Sequence, residues 1–205
     1  MSLATKRQGL FVDLLEQSRA VYESCDALQA FDSWPTDLRF IDQAPVPVPA
    51  IRQLALWTAE NEFHAATQAI LPFGNWQQNY LESDVGYGFL QDYGYIELYG
   101  PTGHFHSSSH RSYVGYWGRG LYYPWHKHEA EEMYCVISGA AYFESEGEAP
   151  VELGPGGTRI HKSWQPHAMT CRSRPVLTLI LWRGSGLDGR AQMIGGPVPT
   201  RITGC

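Results

Sequence analysis

No stretch of this 205-residue chain holds the roughly 18–20 consecutive apolar residues that a membrane-spanning helix needs, so no membrane association is expected. Basic clusters are missing as well. Lys and Arg number 15 against 21 Asp and Glu, for a net charge of −6, and they are scattered, so nucleic acid is not an expected partner. Cysteine is sparse: Cys25, Cys135, Cys171 and Cys205 stand far apart with no CxxC pair. That argues against a disulfide framework and fits reduced thiols. The opening MSLATKRQGLFVDLLEQ has no signal-peptide apolar core, because Asp13 and Glu16 interrupt it, and a cytoplasmic location is expected.

What the chain has in quantity is aromatic side chains, 13% of residues with seven Trp and twelve Tyr. They supply core, and rings able to line a small-molecule pocket. Leu10, Leu14, Val21, Cys25 and Leu28 recur at helical spacing. Pro45, Pro47 and Pro49 then impose an extended connector. Helical periodicity resumes through Ile51, Leu54, Trp57, Phe63, Ala66 and Ile70 until PFGN ends it. From about residue 84 the period changes to two. Runs such as YGYIELYG, SYVGYWG, EMYCVISG and VLTLILWRG alternate with Gly, Pro and Ser, the pattern of an antiparallel sandwich or barrel. The predicted organisation is a helical region over 1–83, packing on a mainly β barrel over 84–205.

The segment GLYYPWHKHEAEEMYCVISG concentrates ionisable groups in a chain only 18% charged. His126 and His128 are two apart, so on a strand both leave the same face. A turn through the acidic residues lets Glu132 begin the next strand and point back at them. Two imidazoles and a carboxylate suit a divalent first-row metal, with Zn, Fe, Mn, Co and Ni all admissible. His167, just after Pro166, is placed to be the fourth ligand, which predicts one ion per chain. Tyr134 alternates with Glu132 and shares its face. His161 reads as a residue behind the ligands or on the surface. His104, His106 and His110 in HFHSSSH read as a solvated loop, since the serines mark a loop and no acid or cysteine accompanies them.

The spacing Gly120–His126–His128–Glu132–Gly139 resembles the first motif of the cupin superfamily, and Gly154, Gly157, Pro166 and His167 resemble the second, with Thr170 where many cupins have Asn. The resemblance implies a cupin antiparallel β-barrel of jelly-roll type. YYPWHKHEAEEMY further resembles the signature of the bacterial cupin-type dimethylsulfoniopropionate lyases (the DddQ and DddL groups), as does LILWRG at 179–184. That family implies His126, His128, Glu132 and His167 as metal ligands, Tyr134 beside the metal and Tyr123 as the base. It also implies a zwitterionic small-molecule substrate split into dimethyl sulfide and acrylate. Tyr122, Trp125 and Trp182 are candidate walls for the sulfonium, held over aromatic faces. Whether Tyr123 or Tyr134 is the base stays open, as does a homodimer. Two other functions share the same ligands: a different cupin reaction, such as a dioxygenase or isomerase, and a non-catalytic small-molecule-binding cupin.

Overall fold

The computed structural model describes residues 3 to 195. Helices α1 (Leu3–Glu23), α2 (Asp26–Phe31), α3 (Ile51–Leu56), α4 (Glu62–Ala69), α5 (Glu82–Val85) and α6 (Tyr87–Asp92) occupy the first part, with strand β1 (Arg39–Phe40) between α2 and α3. The strands that follow are β2 (Tyr93–Gly100), β3 (Phe105–His106), β4 (Arg111–Trp117), β5 (Tyr122–Lys127), β6 (Glu131–Gly139) and β7 (Ala141–Ser145). They continue with β8 (Val151–Leu153), β9 (Thr158–His161), β10 (His167–Thr170), β11 (Val176–Arg183) and β12 (Gln192–Met193).

Both long helical patterns are interrupted, and tertiary bonds explain why. The first breaks at Cys25, which is extended (φ −125, ψ 103). There the Ser24 hydroxyl and the Gln29 amide donate to the Val21 and Glu23 carbonyls, satisfying the open end of α1. The second breaks between Trp57 and Asn61. Asn61 caps α4 by accepting the His64 N–H at 2.9 Å, while its own amide donates to the Ile137 carbonyl at 2.9 Å. One side chain thus starts a helix and ties it to β6.

The hydrogen-bonded ladders form two sheets, as in a jelly roll, rather than one closed cylinder. A seven-stranded sheet runs β1-β3-β2-β4-β11-β6-β9 and a five-stranded sheet runs β12-β5-β10-β7-β8. The cupin fold implied by the sequence is the fold observed. Period two decides which side each residue serves. Along β6 and β11, Met133, Cys135, Ile137, Leu177, Leu179 and Leu181 join one core with Phe11, Leu14 and Leu54 of the helices. Their neighbours Tyr134, Val136, Val176, Ile180 and Trp182 face the second sheet. The larger sheet is therefore buried on both faces. The helical run ends at Asp92, past the boundary at 83, and β1 pairs with β3 across that boundary. Among the described residues no helix is long and apolar enough to cross a membrane.

His104 corrects the solvated-loop reading. It is buried, its ring stacks on Phe11 at 4.0 Å, and its Nε2 accepts the Asn75 N–H at 3.1 Å. His106 lies in β3, and His110 is part-buried with Ser33 and Asp32 as neighbours. The serines do make the turn, but α1 closes over it. Burial pushes the His104 imidazole down from 6.5 to about 4. Its neutral form is thus favoured in the fold, so its contribution to stability is complete above 6.5 and is lost as pH falls towards 4. Between pH 7 and 5 this one group should cost about 2 kcal/mol of unfolding free energy. In His104→Gln, compared by urea denaturation at both pH values, the loss should be smaller by that amount. An equal loss in both proteins would assign the pH dependence elsewhere.

Candidate metal centre and active-site cavity

The four expected ligands meet between the two sheets, where strand pairing delivers them. His167 of β10 is the cross-strand partner of His126 on β5. Glu132 of β6 lies opposite Trp182 on β11 and His161 on β9. His126, His128 and His167 each offer a ring nitrogen within 4.8 Å of the others, and Glu132, His161 and His167 form a second such group. Glu132 Oε2 is 3.2 Å from His128 Nε2 and 3.3 Å from His167 Nε2. All five side chains are buried.

The second ring nitrogens show what this cluster can hold. Nδ1 of His126, His128 and His167 lies 2.8 Å from the main-chain carbonyls of Pro124, Ala130 and Gln165 respectively, so each ring donates its Nδ1 proton and turns Nε2 inward. His167 Nε2 is buried, and with its proton on Nδ1 it has none to give the Glu132 oxygen 3.3 Å away, so its lone pair is unmatched. Fixing the tautomer from behind is how proteins prepare histidine for a metal. Charge points the same way. Burial and the neighbouring His167 hold His126 well below 6.5 and therefore neutral. Burial opposes ionisation of Glu132, yet the adjoining His128 keeps its carboxyl well below the usual range. His128 answers in kind: burial opposes its charge, but the Glu132 carboxylate raises its imidazole above 6.5. A neutral His126 and an ionised Glu132 are donor forms that a divalent cation requires, and such a cation would take the place of the His128 proton.

Tyr123 reaches the same face through an irregularity. His167 pairs with His126 and Met169 with Tyr123, so β5 spends one residue more than β10 between the two pairs. This is a β-bulge, and Pro124, which cannot donate to the ladder, lies within it. The extra residue turns Tyr123 inward, where its ring stacks on His126 at 3.9 Å. The same shift corrects two assignments: neither Tyr122 nor Trp125 lines the cavity, because the bulge leaves them on the outer face. Trp182 does line it, but its indole N–H donates to Glu132 Oε1 at 2.8 Å and its ring stacks on His128 at 4.5 Å. It holds Glu132 and His128 in place as much as it forms a wall. His161, too, is no surface residue: it stacks on His167 at 3.9 Å and its Nδ1 sits 3.1 Å from the Ser145 hydroxyl.

A cavity of about 720 Å³ opens from this cluster. Its aromatic wall includes Tyr80, Tyr93, Tyr95, Tyr113 and Trp117 together with Tyr123, Tyr134 and Trp182. The Tyr80 and Tyr123 hydroxyls are hydrogen-bonded to each other. Burial, then the nearby tyrosines, pushes the Tyr123 phenol well above 10. Tyr134 is also raised, by burial and then by the Glu132 carboxylate beside it.

Residues 28–178 match the family model described as dimethylsulfoniopropionate lyase. The chain belongs to that family. It is 35% identical over 185 residues to the dimethylsulfoniopropionate lyase DddQ of Ruegeria pomeroyi, spanning 88% of this chain and 92% of that protein. The crystal structure of DddQ from Ruegeria pomeroyi superposes with a TM-score of 0.84 at 33% identity, over 90% of this chain and 96% of that one. A chain from the crystal structures of the lyases RdDddP and RnDddQII gives 0.88 at 40% identity, over 92% and 100%. In this member of the dimethylsulfoniopropionate lyase family, sequence reasoning missed Tyr80, Tyr93, Tyr113 and Trp117 as site residues. Only the alternation of Tyr93 and Tyr95 in YGYIE hinted at one such face.

Trp182→Phe would keep the ring on His128 and remove the N–H that orients Glu132. Metal affinity is expected to fall ~10–100-fold, measured by chelator competition. Unchanged affinity would mean that Glu132 holds its place without the indole.

Proposed function

We propose that this chain is a metal-dependent carbon–sulfur lyase that splits dimethylsulfoniopropionate into dimethyl sulfide and acrylate, with Tyr123 as the base. The observation that carries the reading is the stack of Tyr123 on His126, which puts a phenol at the boundary between the imidazole–carboxylate cluster and the aromatic cavity. His126, His128, Glu132 and His167 hold one divalent ion, of the Zn, Fe, Mn, Co or Ni class. When bound, that ion supplies Lewis acidity toward the substrate carboxylate.

The residues of the chain do the rest. Tyr93, Tyr113 and Trp117 present ring faces to the dimethylsulfonium, at about 0.5–2 kcal/mol per contact. With the zwitterion held at both ends, its α-carbon lies towards Tyr123. The Tyr123 oxygen takes the α-proton, the electron pair of that C–H bond becomes the second bond of acrylate, and the C–S pair leaves with dimethyl sulfide. A phenol so displaced by burial ionises only beside a positive charge, which is why the base must lie close to the ligands. Tyr80, bonded to the Tyr123 hydroxyl, fixes the direction in which that oxygen points. Tyr134, next to Glu132, donates to the carboxylate and helps to keep it oriented. Purified metal-loaded protein should release dimethyl sulfide and acrylate in equal amounts, followed by headspace and liquid chromatography, without oxygen consumption. Oxygen uptake, or no release from this substrate, would overturn the assignment.

A further inference from the structure

A second cavity, of about 610 Å³, lies on the opposite face of the larger sheet, between that sheet and the helices. The catalytic reading leaves it without a role. Cys25, at the break between α1 and α2, and Cys135, in the middle of β6, both line it. The two line the same groove and belong to the same core, and α2 packs directly on β6, so residues distant in sequence are brought side by side. Their environments are unequal. Cys135 is 1% exposed and Cys25 is half-buried at the wall of an open groove. The main chain at Cys25 is pinned on both sides, its N–H donating to Tyr22 and its carbonyl accepting from Leu28 and Gln29. The backbone that carries the thiol is thus held in place.

We propose that Cys25 and Cys135 form a peroxide-responsive dithiol site that closes to a disulfide, stapling the α1–α2 junction to β6. The oxidant is a small hydroperoxide that enters through the groove. Cys25 is the sulfur it reaches: the thiol attacks the terminal peroxide oxygen, giving a sulfenic acid and water, or an alcohol from an organic hydroperoxide. The Cys135 sulfur then displaces the hydroxyl from the Cys25 sulfur, and its proton leaves with that hydroxyl as a second water. Two thiols and one peroxide thus become one disulfide. Burial pushes the Cys135 thiol up to about 12, so this sulfur resists direct oxidation and waits for its partner. Cys171 is buried in the other core, directly after β10. Cys205 lies outside the described residues.

The site closes a loop of about 110 residues, and cross-linking a loop of that length raises stability through the unfolded chain. The full-length metal-loaded protein, treated with hydrogen peroxide and digested without reduction, should yield one Cys25–Cys135 linked peptide by mass spectrometry. The protein should remain monomeric on a non-reducing gel, with Tm raised by roughly 5–10 °C and restored by dithiothreitol. Cys25→Ser, a change at a half-buried position, should abolish both the linked peptide and the Tm shift. Three results would overturn the proposal: free thiols at both positions, Cys25 carried to sulfinic or sulfonic acid without a link, or pairing with Cys171 or Cys205. The peptide map of the wild-type chain decides this even if a variant folds poorly.

Discussion

Tyr123→Phe is expected to lower kcat by ~10²–10⁴, the range typical of losing a general base, while leaving metal content unchanged. The substitution removes one hydroxyl and keeps the ring that stacks on His126 and packs among Tyr80, Phe89, Tyr93 and Trp117. Substrate binding should change little, because the carboxylate and sulfonium partners are untouched. The reacting form is the phenolate, so wild-type turnover should rise with pH up to the pKa that Tyr123 has in the loaded site. That rise should be absent from the residual rate of the variant. Tyr134→Phe is the control. It removes a hydroxyl beside Glu132 and should weaken metal binding before it slows turnover. Normal turnover in Tyr123→Phe with collapse in Tyr134→Phe would move the base to Tyr134.

His167→Ala should abolish metal binding altogether. His167 is common to both donor groups, 4.1 Å from His126 between ring centres and 5.0 Å from His128. Its removal takes a donor from the middle of the cluster and leaves Glu132 without one of its two close imidazoles. Metal analysis should fall from about one ion per chain, the stoichiometry of one complete ligand set, to near zero, and activity should fall with it. His128→Ala should behave alike. Circular dichroism separates loss of the ion from loss of the fold. Full occupancy in both variants would refute the ligand assignment.

The strands were legible because their signal is local. EMYCVISG and VLTLILWRG read as strands from β-branched and aromatic content, and they appear as β6 and β11. The imidazole–carboxylate cluster was legible for the same reason: strand geometry alone puts His126 and His128 on one face, and a short turn returns Glu132. What stayed hidden depends on contacts between distant residues. The break before α4 follows from Asn61 bonding to β6, which no helical period announces. Tyr80 meets Tyr123 across 43 positions, and nothing in QQNYLESD singles it out. Tyr122 and Trp125 were placed at the cavity by proximity to the motif, but one inserted residue in β5 sets the face. His104 was read from its serine neighbours, whereas its burial is decided by Phe11, in α1.

The two-sided burial of β6 and β11 limits how this chain could be dissected. A fragment containing only the strands would bring Met133, Ile137, Leu177, Leu179 and Leu181 into contact with water. Each such side chain is worth about 1.5–3 kcal/mol of burial, and together they match the whole margin of roughly 5–15 kcal/mol that separates a typical domain from its unfolded chain. Helices α1 to α4 thus form the far wall of the sheet whose other side faces the cavity, while Asp84 of α5 lines the cavity itself. The strands alone are not expected to survive as an independently folded piece.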